Sequence, residues 1–525
     1  MAEAAPKFEE VLDVIGHIGV MQWILIAFSI IQETSIALSI YFLIFAESNN
    51  PTWSCDPVNR TFGVEGLNRT DQCPTEGVYC TNITYDAGFT SIVTEWNLIC
   101  ERYYMGKMTV SLFFLGLTMG TLVSGQLADL FGRRMVILAT WALVMVTQTC
   151  LGFMPTFESY LAVRMINGLS AGSLAVVSSI LPMEYVGSKW RVAVSLRMGW
   201  RIGYFITIGL AYGIRKWQHL SFACGLFCVP FFPFAWFFMP ESARWSIQRG
   251  RFDEAMYWIG MIAKANRKPS PDVSLLKRIA HVEGEVAAKA KKYTYVALFR
   301  TKKYAVRTLV IMFAWMSLSL AENGLLTMTS GLTGTVYTNM AVTGTFNFFS
   351  RLTAFFVLNL TWIGRKRGFA IYFSFAVVCN FAIMILDLTG YLKDNPMVTT
   401  WLVITAFGGM SGAWSSAFIF CSELYPTLIR SLATSNANFT NRLAGVLAPQ
   451  IVLLGILYPP ASFVIFGSFA TISIVLVMIF IPETLNKPLP EEVPSGKRQQ
   501  DAEEMKTVEA TDLMEKTSEE RGDSC

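Results

Sequence analysis

The chain has 525 residues, enough for about three ordinary soluble domains, yet 53% of them are AVILMFWYC and only 15% are charged, a composition that excludes a soluble protein. Lys+Arg 42 against Asp+Glu 38 leaves a formal charge of +4, far from the dense positive charge that nucleic-acid binding requires. Three histidines and ten cysteines are too scattered to hold a metal, and no phosphate-cradling G-x-x-x-x-G-K-S/T run occurs.

A membrane-spanning helix needs roughly 20 mainly apolar residues, because lipid offers the backbone no hydrogen-bond partner. In chain order such stretches fall near 21–45, 108–128, 135–154, 160–181, 193–214, 218–239, 305–325, 337–362, 369–387, 398–420, 431–455 and 460–481. The pattern predicts an all-α membrane protein with twelve transmembrane helices. The residues before the first span include Glu9, Glu10 and Asp13 and carry no cleavage-site pattern, so that span reads as a helix and not as a signal peptide. Between spans one and two, the loop at about 47–107 holds Cys55, Cys73, Cys80 and Cys100 and the sequons at Asn59, Asn68 and Asn82. Four cysteines in one such loop read as two disulfides with the pairing open, and glycosylation suits the same oxidising side of a membrane. A charged segment at 240–304 separates the two sets of six spans, and the polar tail at 483–525 has the composition of a disordered segment.

Basic residues set the orientation. Arg133 and Arg134 follow span two, Lys189 and Arg191 span four, Arg365, Lys366 and Arg367 span eight, and Arg430 span ten, whereas the loops after spans three, seven and eleven have none. Both termini are therefore expected in the cytoplasm. Three signals also recur: Gly132-Arg-Arg is echoed by Gly364-Arg-Lys, Glu184 with Arg191 by Glu423 with Arg430, and Pro240-Glu-Ser by Pro482-Glu-Thr, at offsets of 232, 239 and 242. Residues 1–239 and 305–482 thus read as two parallel six-helix pseudo-repeats about a central cavity, the arrangement of alternating-access carriers of the major facilitator fold.

The turn after span two reads Gly125-Gln-Leu-Ala-Asp129-Leu-Phe-Gly132-Arg133-Arg134. Its glycines permit a tight turn and close helix approach, and Asp129 with the arginines can form charge pairs that break and reform as the halves rock. This decamer closely resembles the major facilitator signature, which makes Gly125, Asp129, Gly132, Arg133, Arg134, Glu184, Arg191, Glu423 and Arg430 the candidate gating set. The N-terminal FEEVLDVIGHIGVMQ, TEWNLIC at Thr94–Cys100, PESARW from Pro240, ELYPTLIR at Glu423–Arg430 and PETLNKPLPEE from Pro482 further resemble the organic ion transporters of solute carrier family 22.

Charges inside the spans bear on the ion carried, since each is costly unless it serves a partner or a substrate. Glu33, Arg164, Arg197, Arg201, Glu322, Arg351 and Arg442 lie there, with Glu322 and Arg197 near span ends where they could snorkel to water. Arg442 stands twelve residues after Arg430. The resemblance implies a charge selector at that position, arginine in anion and carnitine-type carriers and aspartate in classical cation carriers. A guanidinium can hold a carboxylate bidentately, or else bridge permanently to Glu33 or another acid. The family's anion branch carries a lysine in span eight, two residues from Arg351 in an ungapped count, so Arg351 is expected nearly on the opposite helix face. Arg201, Glu33, Tyr204 and Trp315 complete the candidate substrate site.

The sequence therefore points to a secondary active or facilitative transporter of small organic anions or zwitterions at the plasma membrane. Its expected partners are the organic ion, an exchanged dicarboxylate or a coupling ion, and the bilayer. An organic cation or carnitine carrier and a non-transporting receptor on the same fold are the alternatives. No nucleophile, base and orienting group assemble from the sequence, so neither catalysis nor a resident cofactor is expected.

Overall fold

The computed structural model describes residues 8–47, 52–57, 80–86, 88–187, 190, 194, 198–279, 295–458 and 460–485. A short helix, Phe8–Ile15, precedes twelve helical spans. The first six are α1 Val20–Ala46, α2 Tyr103–Phe131, α3 Arg133–Leu151, α4 Phe157–Tyr185, α5 Met198–Gly213 and α6 Trp217–Phe238. The second six are α7 Lys302–Met328, α8 Val336–Val357, α9 Gly364–Leu388, α10 Pro396–Glu423, α11 Thr427–Leu457 and α12 Ala461–Phe480. Each expected span falls on one of these. Local chemistry sets several boundaries: Thr156 and Ser159 form a capping box at the start of α4, and the Thr335 hydroxyl caps α8 at the Thr338 N–H. Inside α6 a 3-10 turn at Val229–Phe231 interrupts the helix where Pro230 and Pro233 withhold their N–H groups.

Among the described residues nine of the twelve helices are long and apolar enough to cross a membrane. The exceptions, α5, α8 and α11, carry Arg201, Arg351 and Arg442, so the spans that look least like membrane helices supply the three central arginines.

Lipid tails are as apolar as a leucine side chain, so burial drives helix association less than close packing does. The α2–α4 contact shows this. Gly116 and Gly120 face the backbone of α4 and Gly168 and Gly172 that of α2, so closely that a Cβ at any of the four would collide with main chain. The buried apolar residues form two large clusters, one from residues 8–279 with Met340 and the other from residues 298–481, beside a small third of Ile26, Val186 and Val194. The two sets of six helices meet mainly through α2 against α11 and α5 against α8. Ser111 donates to the Val446 carbonyl at 2.9 Å and Tyr204 to that of Met340 at 2.9 Å, while Tyr337 touches Phe45 and Tyr212. These contacts lie toward the end of the bundle that bears the 47–107 segment, hereafter the loop end. The opposite, motif end carries the helices Ala243–Gln248 and Phe252–Ala265. Asn266 fastens the latter to the start of α1, accepting from Met21 N–H and donating to the Gln22 side chain.

The loop-end segment adds strand structure that the sequence reading treated as loop. β1 Thr52–Pro57 pairs antiparallel with β2 Cys80–Asp86, with Cys55 opposite Ile83. Cys73, Asn59 and Asn68 lie outside the described residues, as do the side chains of Cys55, Cys80 and Asn82. Cys100 is disulfide-bonded, whereas Cys150, Cys224, Cys228, Cys379 and Cys421, all within spans, are free thiols.

Candidate functional site

Ionisable side chains from five helices converge in the middle of the bundle. Arg201 on α5 lies within electrostatic reach of Glu33 and Tyr41 on α1 and of Arg351 on α8. Glu322 on α7 lies within reach of Arg351 and of Arg442 on α11. Close packing sets Glu33: Gly199 on α5 leaves no room for a Cβ beside Glu33 and the Ile30 carbonyl, and the Thr34 hydroxyl donates to the Gly199 carbonyl at 3.2 Å. Ser411 of α10 holds Arg351, accepting from its Nε at 2.9 Å and donating on to the Asn347 carbonyl. Arg351 therefore faces the interior, where the ungapped count had set it on the opposite face.

Two sequence expectations change. Glu322 does not snorkel, because α7 continues to Met328 and the Glu322 carboxylate accepts the Trp414 indole N–H at 2.7 Å. The acid near Arg442 is Glu322, whereas Glu33 sits with Arg201. Of the proposed aromatic lining, Trp315 is fully buried, donates to the Ala417 carbonyl and packs edge-on against Trp414 and Phe418. It stands one layer behind the wall. Tyr204 is likewise buried at the α5–α8 seam, against Tyr41. Tyr41, Trp414 and Ser411 belong to this centre although the sequence reading did not single them out. An aromatic or hydroxyl residue in a span carries no charge to mark it. Arg197 lies outside the described residues.

A second constellation lies at the motif end and is built twice. Gly132 and Gly364 both have positive φ, +96° and +69°, and in both the space of a Cβ is filled by a carboxylate, that of Glu241 and of Glu483. Glu241 accepts the N–H groups of Arg133 at 2.8 Å and of Arg134 at 3.1 Å, the first of α3. Glu483 accepts those of Arg365 at 2.9 Å and Lys366 at 3.1 Å, at the start of α9. Each is a carboxylate seated on a helix N-terminus, where orphan N–H groups and the helix dipole favour negative charge. The residue after each closes the clasp: the Ser242 hydroxyl donates to Glu184, and that of Thr484 to Glu423. Arg133 then pairs with Glu184 at 3.0 Å, and Arg365 with Glu423 at 3.6 Å.

The other motif residues take separate partners. Arg430 donates to the Tyr425 carbonyl, while Glu423 holds Arg365. Asp129 is exposed and pairs with Arg133 only at 3.6 Å, while its main-chain carbonyl receives Trp245 Nε1 and Arg249. Arg134 donates to the Trp236 carbonyl and lies over the Trp258 ring. Gly125 faces open space, so no close approach requires it. Arg191 lies outside the described residues. Glu241 and Glu483 went unassigned in the sequence, although the repeated proline-glutamate pair was their signal.

Burial pushes the Glu241 carboxyl above the usual carboxylate range, against the pull of the Ser242, Arg134 and Arg133 N–H groups. Glu483 is also penalised by burial, but its bonds from Arg365, Leu485, Lys366 and Thr484 outweigh that and hold it below the range.

Near the loop end a third cluster is wholly interior. Arg164 pairs with Glu47 at 2.8 Å, donates to the Ser39 carbonyl and to Asn167, and lies over Phe113 at 4.3 Å. Glu47 also accepts from Tyr160 and Thr109. Fully buried, this network clasps α1, α2 and α4. Removing one charge would strand the other at a cost of about 3–5 kcal/mol.

The chain matches the family model described as sugar (and other) transporter over residues 75–494. It is 33% identical to mouse solute carrier family 22 member 4, across 77% of this chain and 72% of that one. It is 30% identical to pig organic anion transporter 3, across 77% and 73%, and 30% identical to a Drosophila melanogaster organic cation transporter protein, across 83% and 81%. Among solved structures, the inward-open xylose transporter XylE from E. coli superposes with a TM-score of 0.64 at 15% identity, covering 89% of this chain and 98% of that one. At that identity the likeness concerns the fold alone.

Proposed function

Because the chain belongs to the sugar (and other) transporter family, and within it to the organic ion transporters of solute carrier family 22, we propose that it carries small organic anions or zwitterions across the plasma membrane. That it is a multi-pass membrane transporter of organic ions, and no enzyme, follows from the family; the sign of the ion is our reading. One observation carries it: among the described residues the central cluster sets three guanidinium groups, Arg201, Arg351 and Arg442, against two carboxylates, Glu33 and Glu322. A site of net positive charge, walled by Tyr41, Trp414 and Phe418, suits an amphipathic anion. Arg442 and Arg351 are its primary ligands in this reading, with Arg201 and Glu33 as the opposite pole.

Transport proceeds by alternating access. With both termini in the cytoplasm the loop end is extracellular, and the contacts of Tyr204, Tyr337 and Ser111 close that side. The two clasps then hold the cytoplasmic ends of α3 and α9 and rearrange when the cavity turns outward. Energy comes from a coupled ion or an exchanged dicarboxylate, and the four loop cysteines pair as two disulfides beside the glycosylated sequons.

Uptake into expressing cells of labelled anionic, zwitterionic and cationic probes, with and without sodium and with a preloaded dicarboxylate, tests the reading. Anion or zwitterion uptake above background is the expected result. Preference for the cation would overturn the assigned sign, and saturable binding without flux would favour the receptor alternative.

A further inference from the structure

Glu322 is an odd occupant for an anion site. It accepts a hydrogen bond from Trp414, itself packed edge-on against the buried Trp315, so its carboxylate is held by a fixed indole. It sits within electrostatic reach of both Arg351 and Arg442, and Tyr41 faces it from α1. A fixed acid within electrostatic reach of two arginines offsets part of their charge, as a substrate carboxylate would. An incoming monoanion still finds a surplus of guanidinium groups. A dianion must bring its second carboxylate into a site that already holds a like charge, and like charges set side by side are disfavoured.

We infer that Glu322 is a specificity-determining residue that restricts the site to organic anions bearing one negative charge and excludes dicarboxylates. The inference rests on the anion reading above and narrows it: it removes a dicarboxylate as the exchange partner while Glu322 is in place. In physical terms Glu322 is an internal counter-anion that sets how much positive charge remains for substrate.

The test uses full-length protein in cells, with labelled 3-phenylpropionate as the monoanion and labelled phenylsuccinate as the dianion on the same ring. Wild type should prefer the monoanion by about tenfold or more in kcat/KM. Glu322→Gln keeps the side-chain shape and an oxygen for the Trp414 N–H. Surface abundance at the wild-type level shows that it folds, and the ratio of monoanion to dianion kcat/KM should then fall to about unity. Glu322→Asp, which restores the charge, should restore the discrimination. An unchanged preference in Glu322→Gln at normal surface abundance would overturn the inference, as would equal use of both anions by wild type. Failure of the anion reading looks different: wild type would then carry neither probe, or Arg442→Ala would carry both normally, and the inference would fall with it.

Discussion

The two motif-end clasps are the same device in different settings. In each a glutamate after a proline seats on a helix N-terminus beside a positive-φ glycine, and the next residue's hydroxyl ties a second glutamate that holds an arginine. The first clasp is roofed. Trp245 and Arg249 donate to the Asp129 carbonyl, Trp258 lies against Arg134, and Tyr185 donates to the Glu241 carbonyl. Glu483 has the N–H groups of its own following residues, Thr484 and Leu485, in place of such a roof. The enclosed carboxylate is pushed up and the more open one held down. One geometry in two environments therefore predicts two different responses to pH and mutation.

The largest effect should come from the glycines. Gly132→Ala and Gly364→Ala each force a Cβ into a strained φ and against a carboxylate, at a cost of about 1–3 kcal/mol for the backbone alone. Both should lower Tm in detergent, Gly364→Ala at least as much, because three atoms of the Glu483 carboxylate crowd its Cβ position. A neutral Gly364→Ala would break the equivalence of the two sites.

Next in size are the glutamates. Glu241 favours its protonated form in the fold, so the stability it lends is greatest at low pH and is lost as pH rises through its raised value. Glu483 lends stability that is present at neutral pH and lost only as pH falls through its lowered value. Acidifying the cytoplasmic side from neutral pH should thus protonate Glu241 before Glu483 and change the transport rate. Glu241→Gln should flatten that profile. Glu483→Gln should keep the profile but lower stability by about 1–3 kcal/mol, since a neutral amide satisfies the helix N–H groups less well. If both variants shift the profile alike, the difference in environment has no consequence.

The smallest effects separate Arg133 from Asp129. Arg133→Ala removes a mostly buried pair with Glu184 and should lower kcat while leaving KM near wild type. Asp129→Asn removes an exposed, long contact worth about 0–1 kcal/mol, and initial-rate uptake should fall at most about twofold. A larger loss in Asp129→Asn would mean that the aspartate finds a closer partner when the cavity turns outward.

Much of this was legible in the sequence. The spans could be read because lipid demands long apolar runs, and the repeat because the motif end uses the same residues twice. What escaped notice were partnerships. Glu423 and Arg430 marked the repeat, but the arginine that Glu423 holds is set by tertiary packing, which brings Arg365 from the start of α9. Glu47 just beyond α1 drew no notice in the sequence, and the fold sets it against Arg164. Glu322 looked like a snorkelling end residue until α7 proved longer. The ribbon at 52–57 and 80–86 was hidden because a polar, cysteine-rich stretch shows no clear alternation. In the substrate site the charges could be found, but not which acid faces which arginine.

The most direct test of the central claim is uptake of a labelled organic monoanion by Arg442 variants, normalised to surface abundance. If Arg442 is the substrate's counter-charge, Arg442→Ala should reach the surface and lose about 2–5 kcal/mol of anion binding, more than tenfold in apparent affinity. Arg442→Lys should keep part of the transport, since it retains the charge without the fork, and Arg442→Asp should refuse anions. An Arg442→Ala protein that reaches the surface normally and carries the anion at wild-type apparent affinity would contradict the account.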